Sequence, residues 1–176
     1  MKKAILEAGE RGDSVGGSTQ TAVTGLPAGL GEPWFDSAEG VLAHALFSIG
    51  GIKGVEFGLG FGFAGACGSE ANDPFRIRDG RIRTEKNCNG GINGGITNGM
   101  PVVFQCAVKP TPSIRAAQET VDFVRGEETV LRIAGRHDPA IIRRICPVID
   151  CVTALTVADL LCVRYGTDYL AKEEET

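Results

Sequence analysis

Hydrophobic and polar residues follow two periods along the chain, one typical of strands and one typical of helices. Alternation with period two predicts strands over residues 18–23, 55–63 and 100–108. Apolar residues at helical spacing predict a helix that begins at Asp36 and ends at residues 50–51. The buried stripe of this helix is predicted to contain Val41, Leu42, Ala45, Leu46 and Ile49.

Two further segments predict hairpins. In the first, Asp79–Gly80 suits a tight type I′ turn between two short strands. One face of this hairpin would carry Arg76, Arg78, Arg81 and Arg83, and the other mostly Phe75, Ile77 and Ile82. A solvated basic face is the favoured interpretation, and an anion site is the alternative. The second hairpin is predicted around Gly126, between residues 120–123 and 129–133.

The C-terminal third contains a long apolar segment. Asp138 is a suitable N-cap and Pro139 a suitable first helical residue, while Pro147 predicts a kink or break. The apolar residues that follow occupy most of the helical circumference, which predicts a buried helix. Strands on both sides of such a helix would form a β/α/β sandwich. We therefore predict one α+β domain over residues 1–176, with antiparallel sheets around a central helical layer.

Composition narrows the function. The 18 basic and 22 acidic residues give a net charge of −4, which argues against nucleic acid as the main partner. No Cys-x-x-Cys pair exists, and His44 and His137 lie far from paired cysteines, so we expect no metal site. The six scattered cysteines are interpreted as reduced core residues of a cytosolic protein. The apolar run 57–67 is too short to span a membrane, and we expect a soluble, cytoplasmic protein.

Three segments could carry chemistry. Paired glycines in residues 90–96 would let backbone amides approach a phosphate or a flat ring, although a bulged strand explains them equally well. Residues 109–114 hold an ammonium and two hydroxyls between prolines, which suits a phosphate or a ring carbonyl; a rigid turn is the alternative. Residues 135–139 place a guanidinium, an imidazole and a carboxylate at a predicted helix N-terminus.

Six motifs occur in an order that resembles the C-terminal half of the chorismate synthase family: GDSVGG (12–17), GLGEPWFD (29–36), SIGGIKGVEFG (48–58), GGINGGITNG (90–99), KPTPSI (109–114) and GRHDP (135–139). The resemblance implies a carbon–oxygen lyase that converts 5-enolpyruvylshikimate 3-phosphate to chorismate, the last shared step toward the aromatic amino acids. It also implies reduced FMN as cofactor, a β/α/β sandwich and a homotetramer.

The resemblance assigns site residues by motif. It implies that the cofactor contacts Gly50, Gly51, Gly94, Lys109, Pro110, Thr111, Pro112, Ser113 and Arg136. Arg136 would also contact the substrate, and Asp138 would assist proton movement at a flavin ring nitrogen. His137 stands where the family varies and receives no catalytic role. Asp150 stands where the family commonly has glutamate.

The family pattern also includes a Gly-x-Ser-His-Gly segment and a second histidine in an arginine-rich stretch, and neither is in this sequence. These segments supply the proposed acid for the leaving phosphate and most arginines around the substrate. We therefore expect an incomplete chain that carries about half of a flavin site. The alternative is a non-catalytic flavin-binding or assembly fragment that needs a partner chain. Either form is expected to expose apolar faces and to self-associate.

Overall fold

The computed structural model describes residues 1–167, which form four α-helices, two 3₁₀ turns and nine strands. The helices are α1 (Lys2–Glu10), α2 (Ala38–Phe47), α3 (Gly68–Ala71) and α4 (Ile142–Tyr165), and the 3₁₀ turns are Trp34–Asp36 and Gly60–Gly65. The strands are β1 (Gly17–Val23), β2 (Ile52–Phe57), β3 (Phe75–Arg78), β4 (Arg81–Thr84), β5 (Ile92–Asn93), β6 (Ile96–Thr97), β7 (Val102–Val108), β8 (Gln118–Asp122) and β9 (Glu127–Leu131).

A three-stranded antiparallel sheet in the order β1-β7-β2 organises the fold. Alternate residues of β7 are buried, because one face of the sheet packs on the helices and the other does not. The inward residues are Val102, Phe104, Cys106 and Val108. Helices α2 and α4 pack against each other and against this sheet. The predicted α+β class with antiparallel sheets is confirmed.

Phe104 is the largest side chain that is fully buried. Its ring lies 5.7 Å from the ring of Phe57 on the neighbouring strand, within the range of favourable aromatic pairs. Leu42 and Leu46 of α2 and Ile149 of α4 belong to the same core. The predicted stripe of α2 therefore faces inward, with Leu42 and Leu46 at its centre, whereas His44 is exposed.

Two predicted element boundaries are wrong for local reasons. Helix α2 is capped by Ser37 and not by Asp36, because the Ser37 hydroxyl accepts a hydrogen bond of 3.0 Å from the Gly40 amide. The strand predicted over 55–63 ends at Phe57 instead. At Gly58 the backbone enters the left-handed region (φ 58°), which ends the extended conformation.

Helix α4 differs from its prediction in its start and in its burial. It begins at Ile142, so Asp138 and Pro139 lie before it and do not cap it. Of the kink or break predicted at Pro147, there is no break, because the helix continues through this residue. The expected burial on all sides is also wrong, since large apolar residues on one side are exposed: Val148, Leu155 and Val163. By length and composition alone α4 could cross a membrane, a test that core helices of soluble proteins also pass.

Both predicted hairpins are present. Strands β3 and β4 pair with the expected register, which places Arg76 opposite Arg83 and Arg78 opposite Arg81. Asp79 and Gly80 at the turn both have positive φ, as a type I′ turn requires. Strands β8 and β9 form the second hairpin, shifted by about two residues from the prediction. Apolar residues of both hairpins are exposed, among them Ile77, Ile82, Phe123 and Val124.

The cysteines fit their prediction only in part. All six are free, but only Cys106 is a core residue, and Cys67, Cys146 and Cys151 are exposed. The prediction failed because an apolar neighbourhood in sequence does not show which side of a helix or loop is covered. Among residues 1–167 no cluster of three or more side chains could hold a metal ion.

Asp73 closes the loop that precedes the glycine-rich segment. Its carboxylate accepts hydrogen bonds from the Cys88 amide (2.7 Å), the Asn89 amide (2.8 Å) and the Asn89 side chain (2.9 Å). Burial raises the pKa of Asp73, but the hydrogen bonds from Asn89 and Cys88 outweigh it, and the pKa lies below its ordinary value of 3.8. The ionised form therefore stabilises the folded state.

Replacement of this carboxylate should weaken the fold in a pH-dependent way. Because the pKa of Asp73 is lower in the folded state, its stabilisation is complete above the unfolded value and is lost as pH falls through the folded value. We expect Asp73→Asn to lower the free energy of unfolding by about 1–3 kcal/mol at neutral pH, with the difference narrowing below about pH 4. Urea denaturation between acidic and neutral pH measures this. Asp79→Asn in the exposed turn is the control, and an equal loss there would contradict the assignment.

Candidate functional site

Backbone and side-chain hydrogen bonds join the motif segments at the end of β7. The Lys109 amide donates to the carbonyl oxygen of Gly51 at 2.9 Å, which ties the KPTPSI segment to the end of the α2–β2 connection. The Ser14 hydroxyl donates to the carbonyl oxygen of Thr111 at 2.6 Å. The GDSVGG, GGIKG and KPTPSI segments therefore lie together, although 97 positions separate Ser14 from Thr111.

The GRHDP segment contacts two segments of this cluster, GDSVGG and KPTPSI. The Val15 amide donates to the carbonyl oxygen of Pro139 at 2.8 Å. Nδ1 of His137 lies 3.0 Å from the Ser113 hydroxyl, and its Nε2 lies 3.2 Å from the carbonyl oxygen of Ile133. Of the site residues predicted from the sequence, the structure thus brings together Gly50, Gly51, residues 109–113, Arg136 and Asp138.

Gly16 lies close to the end of β7, and only glycine fits at this position. A Cβ atom there would lie 2.5 Å from the Val108 carbonyl oxygen and 3.1 Å from Cδ of Pro110. Any side chain would push the GDSVGG segment away from the strand end. Ser14 could then no longer hold the Thr111 carbonyl.

Several polar groups in the cluster have no partner among residues 1–167. Oγ1 of Thr111 is buried and makes no hydrogen bond with these residues, which is costly unless a ligand supplies a partner. Within residues 1–167, the Lys109 ammonium and the exposed Arg136 guanidinium form no ion pair. Two uncommitted cations and an unpaired hydroxyl suit an anionic ligand with several polar groups.

Asp138 is held by an ion pair. Its Oδ2 lies 2.8 Å from Nη1 of Arg144 in the first turn of α4, and the pair is partly exposed. This contact replaces the capping role expected for Asp138. Oδ1 makes no hydrogen bond within residues 1–167 and is available to another group.

The two glycines at the α2–β2 connection differ in the space around them. A Cβ atom at Gly50 would meet nothing within 4 Å, so a side chain could be placed there. Gly51 has φ 100°, and a Cβ atom would lie 3.1 Å from Cδ1 of Ile141. Glycine is therefore needed at Gly51 for the backbone that presents its carbonyl to Lys109.

Gly94 lies apart from this cluster. It occupies the two-residue turn of the β5–β6 hairpin, where Gly94 and Gly95 both have positive φ. The carbonyl oxygen of the adjacent Gly95 accepts from the Ala38 amide at the N-terminal end of α2. The ten residues of α2, about 15 Å long, separate this position from the end that leads to Gly50.

The basic hairpin is also separate. Arg76 pairs with Glu85 at 3.1 Å, and a shallow cavity beside Met100 is lined by Arg78, Arg81 and Arg83. These side chains are exposed, which agrees with the solvated face expected from the sequence.

Two contacts in the cluster were not predicted from the sequence. Ser14 lies in the GDSVGG motif, yet nothing in the local sequence indicates that it holds Thr111. His137 has no role in the family resemblance, yet it contacts Ser113, a predicted cofactor residue, across 24 positions. The sequence features nearest to these contacts are the Ser-x-Gly-Gly and His-Asp-Pro patterns beside turns. These patterns do not indicate which distant residue Ser14 or His137 contacts.

Fold and site together define an α+β protein with a glycine-lined cluster whose two uncommitted cations and one unpaired hydroxyl suit a phosphorylated ligand. The family model for chorismate synthase matches residues 1–162. The chain belongs to the chorismate synthase family.

Relatives named chorismate synthase support this membership. That of Thermococcus gammatolerans is 51% identical over 161 residues, which cover 92% of this chain and 45% of the relative. That of Methanocella arvoryzae is 49% identical over 159 residues, covering 90% and 43%. A solved structure described as a crystal structure of chorismate synthase superposes with a TM-score of 0.77 at 32% identity, covering 97% of this chain and 44% of that one. The chain spans about half the length of the curated relatives it matches.

Proposed function

We propose that this chain provides the flavin-binding part of a chorismate synthase. The reaction is the 1,4-anti elimination of phosphate and a proton from 5-enolpyruvylshikimate 3-phosphate, which gives chorismate for aromatic amino-acid biosynthesis. One observation carries the proposal: in a member of this family, the KPTPSI and GRHDP segments and Gly50–Gly51 meet in one cluster with unpaired polar groups.

The residues present fit FMN. With residues 1–167 the buried hydroxyl of Thr111 makes no hydrogen bond and the cations of Lys109 and Arg136 make no ion pair, which leaves all three groups for a phosphate-bearing cofactor. Pro110 and Pro112 restrict the segment, so little backbone entropy is lost when a ligand binds. Reduced FMN, when bound, supplies an electron-rich ring to the elimination although the reaction has no net redox change.

The protein's own groups would orient the ligands and move a proton. Lys109 would neutralise the cofactor, and Arg136 would contact both cofactor and substrate. Arg144 holds Asp138 through Oδ2, so we propose that the proton is taken and returned at Oδ1. Gly94 lies at the N-terminal end of α2, whereas Lys109 is hydrogen-bonded to Gly51 beyond the C-terminal end of this helix. The proposed flavin contact of Gly94 therefore requires a second copy of the chain or a ligand that spans the length of α2.

Flavin titration under anaerobic conditions tests the proposal. Lys109→Ala should weaken FMN binding about tenfold or more, because a charge-assisted hydrogen bond is worth roughly 1.5–3 kcal/mol. Lys53→Ala, at an exposed position of β2, is the matched control and should have no effect. An unaltered chain that binds no FMN would contradict the proposal. Chorismate formation is then assayed with the chain alone and with the N-terminal portion of a relative added.

Thr111→Val should separate cofactor affinity from stability. Valine has nearly the same shape and removes a buried hydroxyl that has no partner, so the free energy of unfolding without ligand should be unchanged or higher. FMN affinity should fall about three- to tenfold if the hydroxyl contacts the cofactor. Thr129→Val on the exposed β8–β9 hairpin controls for loss of a hydroxyl. Unchanged FMN affinity in Thr111→Val would exclude this contact.

A second candidate function is an assembly module that works only with a partner chain. The exposed apolar side of α4 favours it, because Leu155 and Val163 are 72% and 70% exposed. Co-migration with an N-terminal polypeptide of a relative on size exclusion, without flavin binding by either alone, would distinguish it from the first proposal.

We also propose a cytoplasmic homo-oligomer, a tetramer by family resemblance, with no nucleic-acid or membrane partner. The net charge of −4 and six free cysteines support the compartment and the absence of nucleic acid. Exposed apolar residues on α4 and both hairpins support association. Sedimentation velocity should show a species larger than the 18.5 kDa monomer. A monomer that does not increase the fluorescence of a hydrophobic dye would contradict this proposal.

A further inference from the structure

The imidazole of His137 links two segments of the candidate site. It lies between the Ser113 hydroxyl, 3.0 Å from Nδ1, and the Ile133 carbonyl oxygen, 3.2 Å from Nε2. The ring is half-buried. Its sequence neighbours Arg136 and Asp138 are charged, but Asp138 is paired with Arg144, and within residues 1–167 the ring's hydrogen-bond partners are the two named oxygens.

The Ile133 contact decides which ring nitrogen carries the hydrogen. A carbonyl oxygen can only accept, so Nε2 must be the N–H of the neutral ring. Nδ1 then has a lone pair and no hydrogen, and the Ser113 hydroxyl must be the donor. The single hydroxyl hydrogen of Ser113 is thereby used, so its oxygen can offer only lone pairs to a further group.

We infer that His137 is a positioning residue that makes Ser113 a hydrogen-bond acceptor toward the ligand. The group that meets Ser113 must therefore be a donor, such as a sugar-like hydroxyl or a ring N–H, and not a phosphate oxygen. This assignment rests on the proposed flavin function. It leaves the phosphate to the cations of the same cluster, Lys109 and Arg136.

The hydrogen assignment can be tested without a ligand. Nitrogen NMR of the ¹⁵N-labelled chain at about pH 8, where an ordinary histidine is neutral, should show His137 protonated at Nε2. Ser113→Ala should shift the Nδ1 resonance and leave Nε2 nearly unchanged, while His44 serves as the internal control. A ring protonated at Nδ1, or a resonance insensitive to Ser113→Ala, would overturn the inference.

The ligand side is tested by comparing FMN with riboflavin, which lacks the phosphate. Ser113→Ala should weaken both ligands by the same factor, about three- to tenfold for one neutral hydrogen bond. His137→Phe should also weaken both equally. His137→Asn should restore affinity, because its amide oxygen can accept from Ser113 where Nδ1 does. Lys109→Ala is the contrasting variant and should weaken FMN more than riboflavin.

The outcomes separate this inference from the proposed function. A Ser113→Ala effect on FMN that disappears with riboflavin would show a phosphate contact and overturn the inference while the flavin function stands. No binding of either flavin by the unaltered chain would overturn the proposed function and the ligand assignment with it. The NMR result decides the Ser113–His137 geometry in either case.

Discussion

Phe104→Ala should lower the free energy of unfolding by about 3–5 kcal/mol, the cost of deleting a fully buried aromatic side chain. Phe104 lies on the central strand β7, where it packs on Phe57 and faces the two core helices. Neighbours on three elements would have to move to fill the cavity. The loss should therefore be near the upper end of this range.

Chemical denaturation measures this loss, provided that the slope of unfolding free energy against denaturant concentration is the same in both proteins. Phe123→Ala is the matched control, because the same atoms are removed from a side chain that is 93% exposed. That variant should change stability by no more than about 0.5 kcal/mol. Similar losses at both positions would mean that the β1-β7-β2 sheet does not carry the core.

Gly58→Ala should be among the most damaging single-methyl additions in the chain. The added Cβ would overlap the Cys88 carbonyl oxygen and lie 2.6 Å from the Gly90 amide nitrogen. Both neighbours are backbone atoms and cannot rotate away. The Gly58 amide also donates to the Val103 carbonyl oxygen at 3.0 Å, so a shift would break the edge of the sheet.

Gly94→Ala isolates this steric effect. Gly94 has φ 59° and Gly58 has φ 58°, so both variants carry the same left-handed strain of about 1–2 kcal/mol. A Cβ atom at Gly94 would meet nothing within 4 Å. Thermal melts should therefore show a modest decrease in the free energy of unfolding for Gly94→Ala. For Gly58→Ala the free energy of unfolding should fall by more than about 3 kcal/mol, or the variant should fail to fold. Equal decreases would contradict the packing at Gly58.

Local signals explain most of what could be predicted from the sequence. The Asp79–Gly80 turn placed the β3–β4 register correctly, because a two-residue loop with positive φ permits only one pairing. The period-two pattern of β7 was equally informative, since its alternate residues face one core. These elements depend on residues that are neighbours in sequence.

Other failures depend on side-chain contacts that the hydrophobic pattern does not contain. Asp138 followed by Pro139 is a good helix start, but Arg144 pairs with Asp138 from within the helix, and the helix begins at Ile142. The burial expected for α4 depended on which elements cover each side of it. No periodicity contains that information. For the site, the resemblance named the segments that meet, whereas the Ser113–His137 and Ser14–Thr111 contacts join distant residues and required the structure.

The position of β7 between β1 and β2 also sets the order of events during synthesis. In the described part of the chain β1 pairs only with β7, which follows it by about 80 residues, so at roughly 5–20 residues per second β1 waits about 4–16 s for its partner. An unpaired apolar strand would invite aggregation during this delay. β1 reads GSTQTAV, mostly small and polar, and can remain hydrated on the ribosome until the central strand emerges.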